Sequence, residues 1–439
     1  MPCALYLVPS TLYLYPMSLL FKPVEWSYRT NLYEVNLRQY TPEGTFKAFA
    51  KHLPRLRGMG VEVLWFMPIT PISIVGRQGS LGSYYACSDY TSTNPEFGSI
   101  DDFKDLVKRA QALGFKIIID WVANHTGIDH HWAKDYPEYY VKNEKGEFYD
   151  SHGWADVIDL NYYNGALRSA MITAMKFWVK ECNIDGFRCD MAHLVPLDFW
   201  RDARKAVEEI KQLFWLAECE VPMYHEVFDA SYTWTWMHKS QDFVKGKIGL
   251  GDLKNVLLDD ASRFPPSAFR LWFTANHDEN SWNGTEYEKY GEAVKALDVF
   301  SCTWKGLPLI YSGQEIPNQK RLKFFDKDTI EWKDELGMDS LYKSLLNLRK
   351  KNPALSASED CECLLIATSS DQQVLAFRRK QGPNEVVVLL NLSAMNIEGQ
   401  VTDKQVSGKF KDYFTSKSKD FSKDRSFQLK PWDYAVYEK

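Results

Sequence analysis

Three carboxylates close short apolar runs in this sequence. Asp190 ends Ile184-Asp185-Gly186-Phe187-Arg188-Cys189-Asp190, Glu218 ends Leu213-Phe214-Trp215-Leu216-Ala217-Glu218, and Asp278 ends Leu271-Trp272-Phe273-Thr274-Ala275-Asn276-His277-Asp278. Breaking an acetal needs an acid for the leaving oxygen and a carboxylate to hold the oxocarbenium-like centre, so acids placed this way point to sugar chemistry. The two-residue period of a strand puts Arg188 and Asp190 on one inward face. A guanidinium there is expected to lower the pKa of Asp190 and keep it ionised, as a nucleophile requires. Glu218 follows four apolar residues, and desolvation is expected to raise its pKa toward the role of an acid. Asn276 and Asp278 are expected to share a face, with His277 at the strand end. One inward acid at a strand end is more often structural; three in one chain make a specific combination.

Apolar strands that end in carboxylates and alternate with helical stretches predict an α/β fold, a (β/α)8 TIM barrel whose chemistry sits at the C-terminal ends of its strands. The alternation runs from about residue 30 to 350. Strands are expected at 32–40, 61–67, 115–123, 184–190, 213–218, 232–236, 271–278 and 307–312, and helices at 45–60, 166–181, 198–211, 251–263, 286–304 and 339–351. The helix after the second strand shows its period plainly in Phe103, Leu106, Val107, Ala110 and Leu113, with Ser99 and Asp102 as a capping box and Gly114 suited to its C-terminal end. Between 126 and 163 the composition turns polar and aromatic around a hairpin-like Lys142-Asn143-Glu144-Lys145-Gly146. So long an excursion reads as a functional inserted subdomain over the active-site face. After Asn352-Pro353 strand patterns at 374–378, 385–392 and 432–438 predict a C-terminal antiparallel β-domain, of sandwich type, over 354–439. The barrel is thus assigned to 22–125 and 164–353, and residues 1–21 to an N-terminal extension.

A chain of 439 residues holds a barrel of ~250 residues or more and a smaller domain. The net charge of −5 and the lack of a basic tract argue against a nucleic-acid partner. The uncharged first 21 residues are broken by Pro2, Pro9 and Pro16 and lack a basic start or clear cleavage site, so they do not read as a targeting segment. A start at Met17 is the alternative. No other segment suits a membrane span. Eight scattered cysteines lack metal-ligand spacing, and Cys361 and Cys363 point to opposite faces of a strand, so a reducing, cytoplasmic setting is expected, with secretion behind an unusual or mis-called N-terminus as the alternative. The aromatic content of 15% suits sugar platforms as well as a ring-rich core. Trp282 and the insertion's Trp132, Tyr139 and Tyr140 are candidates for either.

Asp120-Trp121-Val122-Ala123-Asn124-His125, Gly186-Phe187-Arg188-Cys189-Asp190, Ala217-Glu218 and Phe273-Thr274-Ala275-Asn276-His277-Asp278 resemble the four signature regions of the α-amylase family of glycoside hydrolases, in the family's order. Gly82-Ser83-Tyr84-Tyr85-Ala86-Cys87-Ser88-Asp89-Tyr90 and Leu307-Pro308-Leu309-Ile310-Tyr311-Ser312-Gly313-Gln314-Glu315 add two more matches. The resemblance implies retaining hydrolysis of α-1,4-glucosidic bonds in starch-like or maltooligosaccharide substrates, through a covalent glycosyl-Asp intermediate. Asp190 matches the nucleophile, Glu218 the acid/base, and Asp278 the carboxylate that grips the distorted sugar. Arg188, His125 and His277 match residues that hydrogen-bond that sugar, Tyr85 the ring that stacks on it, and Asp120 the partner of the arginine. A transglycosylase of the same family, glucanotransferase or cyclomaltodextrin-acting, shares these residues. A non-catalytic glycan- or protein-binding member would have lost an acid. No cofactor is required for this chemistry. Asn124 matches a Ca²⁺ ligand in part of the family, and equally suits a structural hydrogen bond. His130, His131 and His152 read as solvated loop histidines before a transition-metal site. His193 and Leu194 stand where many α-amylases carry a Lys-His pair, Val157-Ile158-Asp159-Leu160-Asn161 departs from the motif of secreted starch amylases, and Cys219 follows the acid/base without a chemical reason.

Overall fold

The computed structural model describes residues 21–333 and 337–439, so the extension assigned to 1–21 lies outside the described residues except for Phe21. That ring packs against the core, under the guanidinium of Arg204 at 4.7 Å. Among the described residues ten strands precede the C-terminal region: β1 Leu32–Val35, β2 Val63–Phe66, β3 Lys116–Trp121, β4 His125–Gly127, β5 Val157–Asp159, β6 Gly186–Cys189, β7 Phe214–Ala217, β8 Ala230–Tyr232, β9 Phe269–Trp272 and β10 Leu307–Tyr311. Eight of them close a parallel barrel in the order β1-β2-β3-β6-β7-β8-β9-β10. The remaining two, β4 and β5, pair antiparallel at the base of the insertion.

The strands read as near-continuous apolar runs because both faces are buried. Their period of two nonetheless sorts them. Leu32, Val63, Trp65, Ile118, Phe214, Leu216, Phe269, Leu271, Leu307 and Leu309 form the barrel's interior cluster. Their neighbours Tyr33, Leu64, Phe66, Ile117, Ile119, Phe187, Trp215 and Ile310 face the helices. Val24, Trp26 and Tyr28 close the lower end, Trp26 lying 5.7 Å from Phe214. Gly186 admits no side chain, since a Cβ there would stand 2.2 Å from the Phe214 carbonyl oxygen. β6 and β7 approach closely at that point, beneath the residues that carry Asp190 and Glu218.

Helices Ile100–Ala112 and Asp339–Lys351 form where the periodicity places them, the first with the Ser99–Asp102 capping box. Several boundaries differ from expectation. The strand expected over 32–40 stops at Val35, and Leu37–Tyr40 turns into a buried helical turn held by Arg38 on Glu96. The strand expected over 232–236 stops at Tyr232: the Thr233 hydroxyl donates to the Leu271 carbonyl at 2.6 Å, and Trp234–Val244 is a helix that buries Trp236 and Met237. Tertiary packing there overrides the β-preference of an aromatic run. The helix expected over 45–60 is interrupted by a 3-10 turn at Ala50–His52, and that over 286–304 breaks at Gly291, where φ is +53°.

Behind the barrel, a six-stranded antiparallel sheet and the pair Ile397–Gln400 with Ser426–Leu429 enclose a second core of Val374, Ala376, Val387, Leu389, Phe410 and Phe427. The opposite face of the same strands, including Phe377 and Val388, joins the barrel's core, where Phe377 meets Trp304 edge-on at 4.9 Å. Among the described residues no helix is long and apolar enough to cross a membrane.

Candidate active site

The inner-face parity that buries Leu32, Ile118 and Leu216 delivers polar residues two positions later, at the upper rim: Glu34 on β1, Asp120 on β3, Arg188 on β6 and Glu218 just beyond β7. Asp190 follows Arg188 by the same step. β6 and β7 are in register with Cys189 opposite Ala217, so Asp190 and Glu218 emerge side by side, and the Glu218 amide donates to the Cys189 carbonyl at 3.0 Å.

Arg188 is the hub. Its Nη1 lies 2.8 Å from Asp120 Oδ1 and 2.8 Å from Asp190 Oδ1, and its Nη2 lies 2.8 Å from Glu218 Oε2. Its Nε donates to the Tyr232 hydroxyl at 3.2 Å. The other oxygen of Asp120 accepts from Trp65 Nε1 at 3.2 Å and from the Tyr85 hydroxyl at 3.1 Å. His277 forms a second hub, with Nδ1 2.5 Å from Glu34 Oε1, and Nε2 2.7 Å from the Tyr85 hydroxyl and 3.2 Å from Asp278 Oδ2. The Tyr85 ring stacks on the His277 ring at 5.3 Å. The Met191 amide, held in a left-handed turn at φ +40°, donates to Glu218 Oε2 at 2.8 Å. Asp278 keeps 38% of its side chain exposed, so it opens to the mouth while the others lie below it.

These contacts order the titrations. Burial pushes Asp190 up to about 6; Arg188 opposes that, while Asp120 and Asp278 add to it. Asp190 is therefore raised, and the sequence-based expectation of a lowered pKa is corrected. One guanidinium shared among three carboxylates cannot offset the desolvation of each. Burial pushes Glu218 up further, to about 7, against Arg188 and with Asp190 and Asp278 reinforcing it, as its apolar neighbours predict. For His277 burial opposes the charge, but Asp278 and Glu34 outweigh it and hold the pKa well above the usual histidine range. Burial likewise opposes ionisation of Asp278, yet the His277 cation and its hydrogen bond bring its pKa below the ordinary value. Burial lowers His125 to about 4, leaving a neutral imidazole beside the Tyr85 backbone.

The arrangement offers an ionisable carboxylate and a proton-retaining one on adjacent strands, with a third, ionised carboxylate at the mouth. A scan against protein-family models matches the description "Alpha amylase, catalytic domain" over residues 25–152 and 136–354. The chain belongs to the α-amylase family. It is 25% identical over 389 residues to the α-amylase MalA of Haloarcula japonica, covering 84% of this chain and 56% of that protein, so it spans little more than half the relative's length. Among solved structures it is similar to a maltogenic α-amylase, AmyB, from Thermotoga neapolitana, with TM-score 0.85 and 29% identity over 94% of this chain and 99% of that one. An α-amylase from Lactobacillus plantarum gives TM-score 0.85 and 26% identity with the same coverage of both chains.

Seven of the eight residues singled out from the sequence, Tyr85, Asp120, Arg188, Asp190, Glu218, His277 and Asp278, form one bonded network. His125 lies against it, near Tyr85. The route to Asp278 differs from the expectation. β9 ends at Trp272, and Asp278 is the N-cap of a π-helical turn, Glu279–Asn283, with the Asn276 side chain accepting the Glu279 amide at 2.8 Å. A helical turn, rather than alternation along a strand, therefore brings these residues together. Sequence reasoning missed Glu34, whose signal was an acid two positions from Leu32 inside an apolar strand. It also missed Trp65 and Tyr232, which no local pattern distinguishes from core.

Most of the other aromatic candidates resolve into packing. Trp132, Tyr139 and Tyr140 are buried, whereas Trp282 is exposed. His130 is buried and caps the turn His131–Asp135 by accepting the Trp132 amide. Among the described residues no group of three or more His, Cys, Asp and Glu side chains is placed to hold a metal. The Asn124 amide nitrogen faces His125 Nδ1 at 3.3 Å, and the buried Oδ1 of Asp159, on the strand paired with His125, has no partner. Cys219 is buried, and that burial pushes its thiol up to about 12.

Proposed function

We propose that this protein is a retaining hydrolase of α-1,4-glucosidic bonds in maltooligosaccharides or starch-like glucans. The observation that carries the reading is the register of β6 with β7. Neighbouring strands lie ~4.8 Å apart, and Asp190 and Glu218 follow directly on the register pair Cys189–Ala217 while both contact Arg188. That placement suits the ~5–5.5 Å separation of a retaining pair better than the ~6.5–9.5 Å that an inverting pair needs for its water.

In this reading Asp190 attacks the anomeric carbon as Glu218 protonates the departing glycosidic oxygen. Water then enters, gives its proton to Glu218, and displaces Asp190. Glu218 holds its proton to about 7 and Asp190 to about 6, so the competent pairing of ionised nucleophile and protonated acid peaks between those values. Asp278, ionised by His277 and open to the mouth, accepts hydrogen bonds from sugar hydroxyls. Tyr85, anchored by its hydroxyl to Asp120 and His277, offers its ring to the same sugar, and Arg188, Asp120 and His125 position the group. The chemistry draws on the chain's own side chains and calls for no cofactor. The seven cysteines of the described residues are free, which suits a reducing compartment.

The test is NMR of the anomeric proton early in maltoheptaose hydrolysis, before mutarotation. Two displacements at one carbon give initial α-product. Initial β-product would withdraw the nucleophile role from Asp190. Products longer than the starting glucan at high concentration would show that a sugar, rather than water, resolves the intermediate.

A further inference from the structure

Past Trp272 the chain leaves the barrel, and Phe273, Thr274, Ala275 and Asn276 form neither strand nor helix before the turn that Asp278 caps. The position of Asp278 therefore depends on the side chains that hold this segment. Asp278 is 38% exposed, and its contact with His277 Nε2 at 3.2 Å is to its own chain neighbour. A second hold comes from behind. Lys289 Nζ donates to the Thr274 carbonyl at 2.7 Å and lies 2.9 Å from Glu279 Oε2. One ammonium thus joins a residue ahead of Asp278 to the residue directly after it. Lys289 and Glu279 are each only 2% exposed, which seals the pair from the mouth. The third N–H of the ammonium faces Met237 Sδ at 3.8 Å, so no donor is left for a substrate.

The anchor is itself fixed. Lys289 belongs to the short helix Glu286–Tyr290, which starts at the Thr285–Glu288 capping box. Residues three apart share a helix face, and Glu286 meets the Thr274 hydroxyl while accepting from Gln314 Nε2 at 2.7 Å. The Tyr290 hydroxyl donates to the Met237 carbonyl at 3.2 Å, and Asn283 Nδ2 holds the other oxygen of Glu279 at 2.8 Å. Removing one partner of a buried ion pair leaves the other charge uncompensated. Without Lys289, Glu279 has to take up a proton or turn toward water, and either movement pulls on the adjoining Asp278. We propose that Lys289 is a positioning residue that acts through Asp278, stapling Thr274 to Glu279 so that the carboxylate between them meets the sugar in the transition state. This inference rests on the hydrolase reading and goes beyond it by giving a role in the reaction to a residue that touches no substrate.

The experiment is a double-mutant cycle. Kcat and KM are measured on α-maltosyl fluoride, whose activated leaving group keeps weak variants measurable, for wild type, K289M, D278N and K289M/D278N. A misplacement of ~1 Å costs ~10²-fold in rate, so K289M is expected to lower kcat about a hundredfold and to leave KM within about twofold. In the D278N background the same substitution is expected to cost less than about threefold, because the group it positions is already lost. A cycle in which K289M costs the same factor in both backgrounds overturns the proposal, as does a K289M enzyme with the wild-type kcat. Where thermal melts show K289M unfolded, K289M/E279Q, which leaves no uncompensated charge in the pocket, takes its place in the cycle. The same hundredfold loss then supports the staple, and a wild-type kcat means that Lys289 only balances Glu279, which overturns it while leaving the hydrolase reading in place. A wild-type enzyme inert on α-maltosyl fluoride and on maltoheptaose overturns the hydrolase reading, and the staple with it.

Discussion

Asp120→Asn isolates the claim that one guanidinium is divided among three carboxylates. Asp120 Oδ1 and Asp190 Oδ1 each lie 2.8 Å from Arg188 Nη1, so the two oxygens are no farther apart than twice that, 5.6 Å. Two like charges at that distance repel by ~3 kcal/mol at an effective dielectric constant near 20, or about two pKa units at ~1.4 kcal/mol each. Asp120 is itself pushed up to about 6 by burial, so it is only partly ionised where Asp190 titrates, and the usable fraction is about one unit. The neutral amide also frees Arg188 for Asp190 and Glu218. The acidic limb of kcat/KM against pH, followed on a maltooligosaccharide, should therefore move down by about one unit. The basic limb, reporting Glu218, should also move down by a smaller amount, since fewer negative charges hold its proton. Because the groups are coupled, both limbs belong to the cluster rather than to single residues. An acidic limb that stays fixed, or rises, would refute the shared-guanidinium account even if activity falls.

Asp190→Asn should abolish turnover by replacing the nucleophilic carboxylate with a neutral amide, and Glu218→Gln should cost ~10²–10⁴-fold through loss of general acid catalysis; steady-state rates on well-folded protein decide, and near-normal activity in either would sink the mechanism. Away from the site, buried Asp298 accepts from Thr274 at 3.1 Å and Tyr342 at 2.9 Å, and burial together with neighbouring Glu286 holds its pKa well above the usual range. A raised folded-state pKa contributes stability that is full below the unfolded value of ~3.9 and is lost as pH rises through the folded one. Thermal melts of wild type and Asp298→Asn across pH 4 to 8 should thus show the variant gaining on wild type as pH rises, and a pH-independent difference would contradict the buried, proton-holding carboxyl.

Local pattern determined much of this protein. The capping box at Ser99 depends on residues three positions apart. The barrel strands declare themselves as apolar runs, and the motif acids sit at their ends because strand parity carries the inner face upward to the rim. Aromatic-rich stretches such as 232–236 misled, since β-preference there yields to the packing of Trp236 and Met237.

What only the tertiary structure decided is how charge and exposure are shared. Glu34 and His277 are far apart in the chain and meet at 2.5 Å because β10 closes onto β1, and that meeting keeps His277 cationic and Asp278 ionised. Arg188 and Asp190 are two residues apart, yet the sign of the Asp190 shift follows from burial, reinforced by Asp120 and Asp278, while Asp120 and Glu218 also claim the guanidinium. Trp282 and Trp132 are the same residue type in similarly aromatic surroundings, and one is open while the other is buried. A pattern along the chain specifies which face a side chain takes. Desolvation and pairing depend on every group that arrives from elsewhere, so they exist only once the barrel has closed.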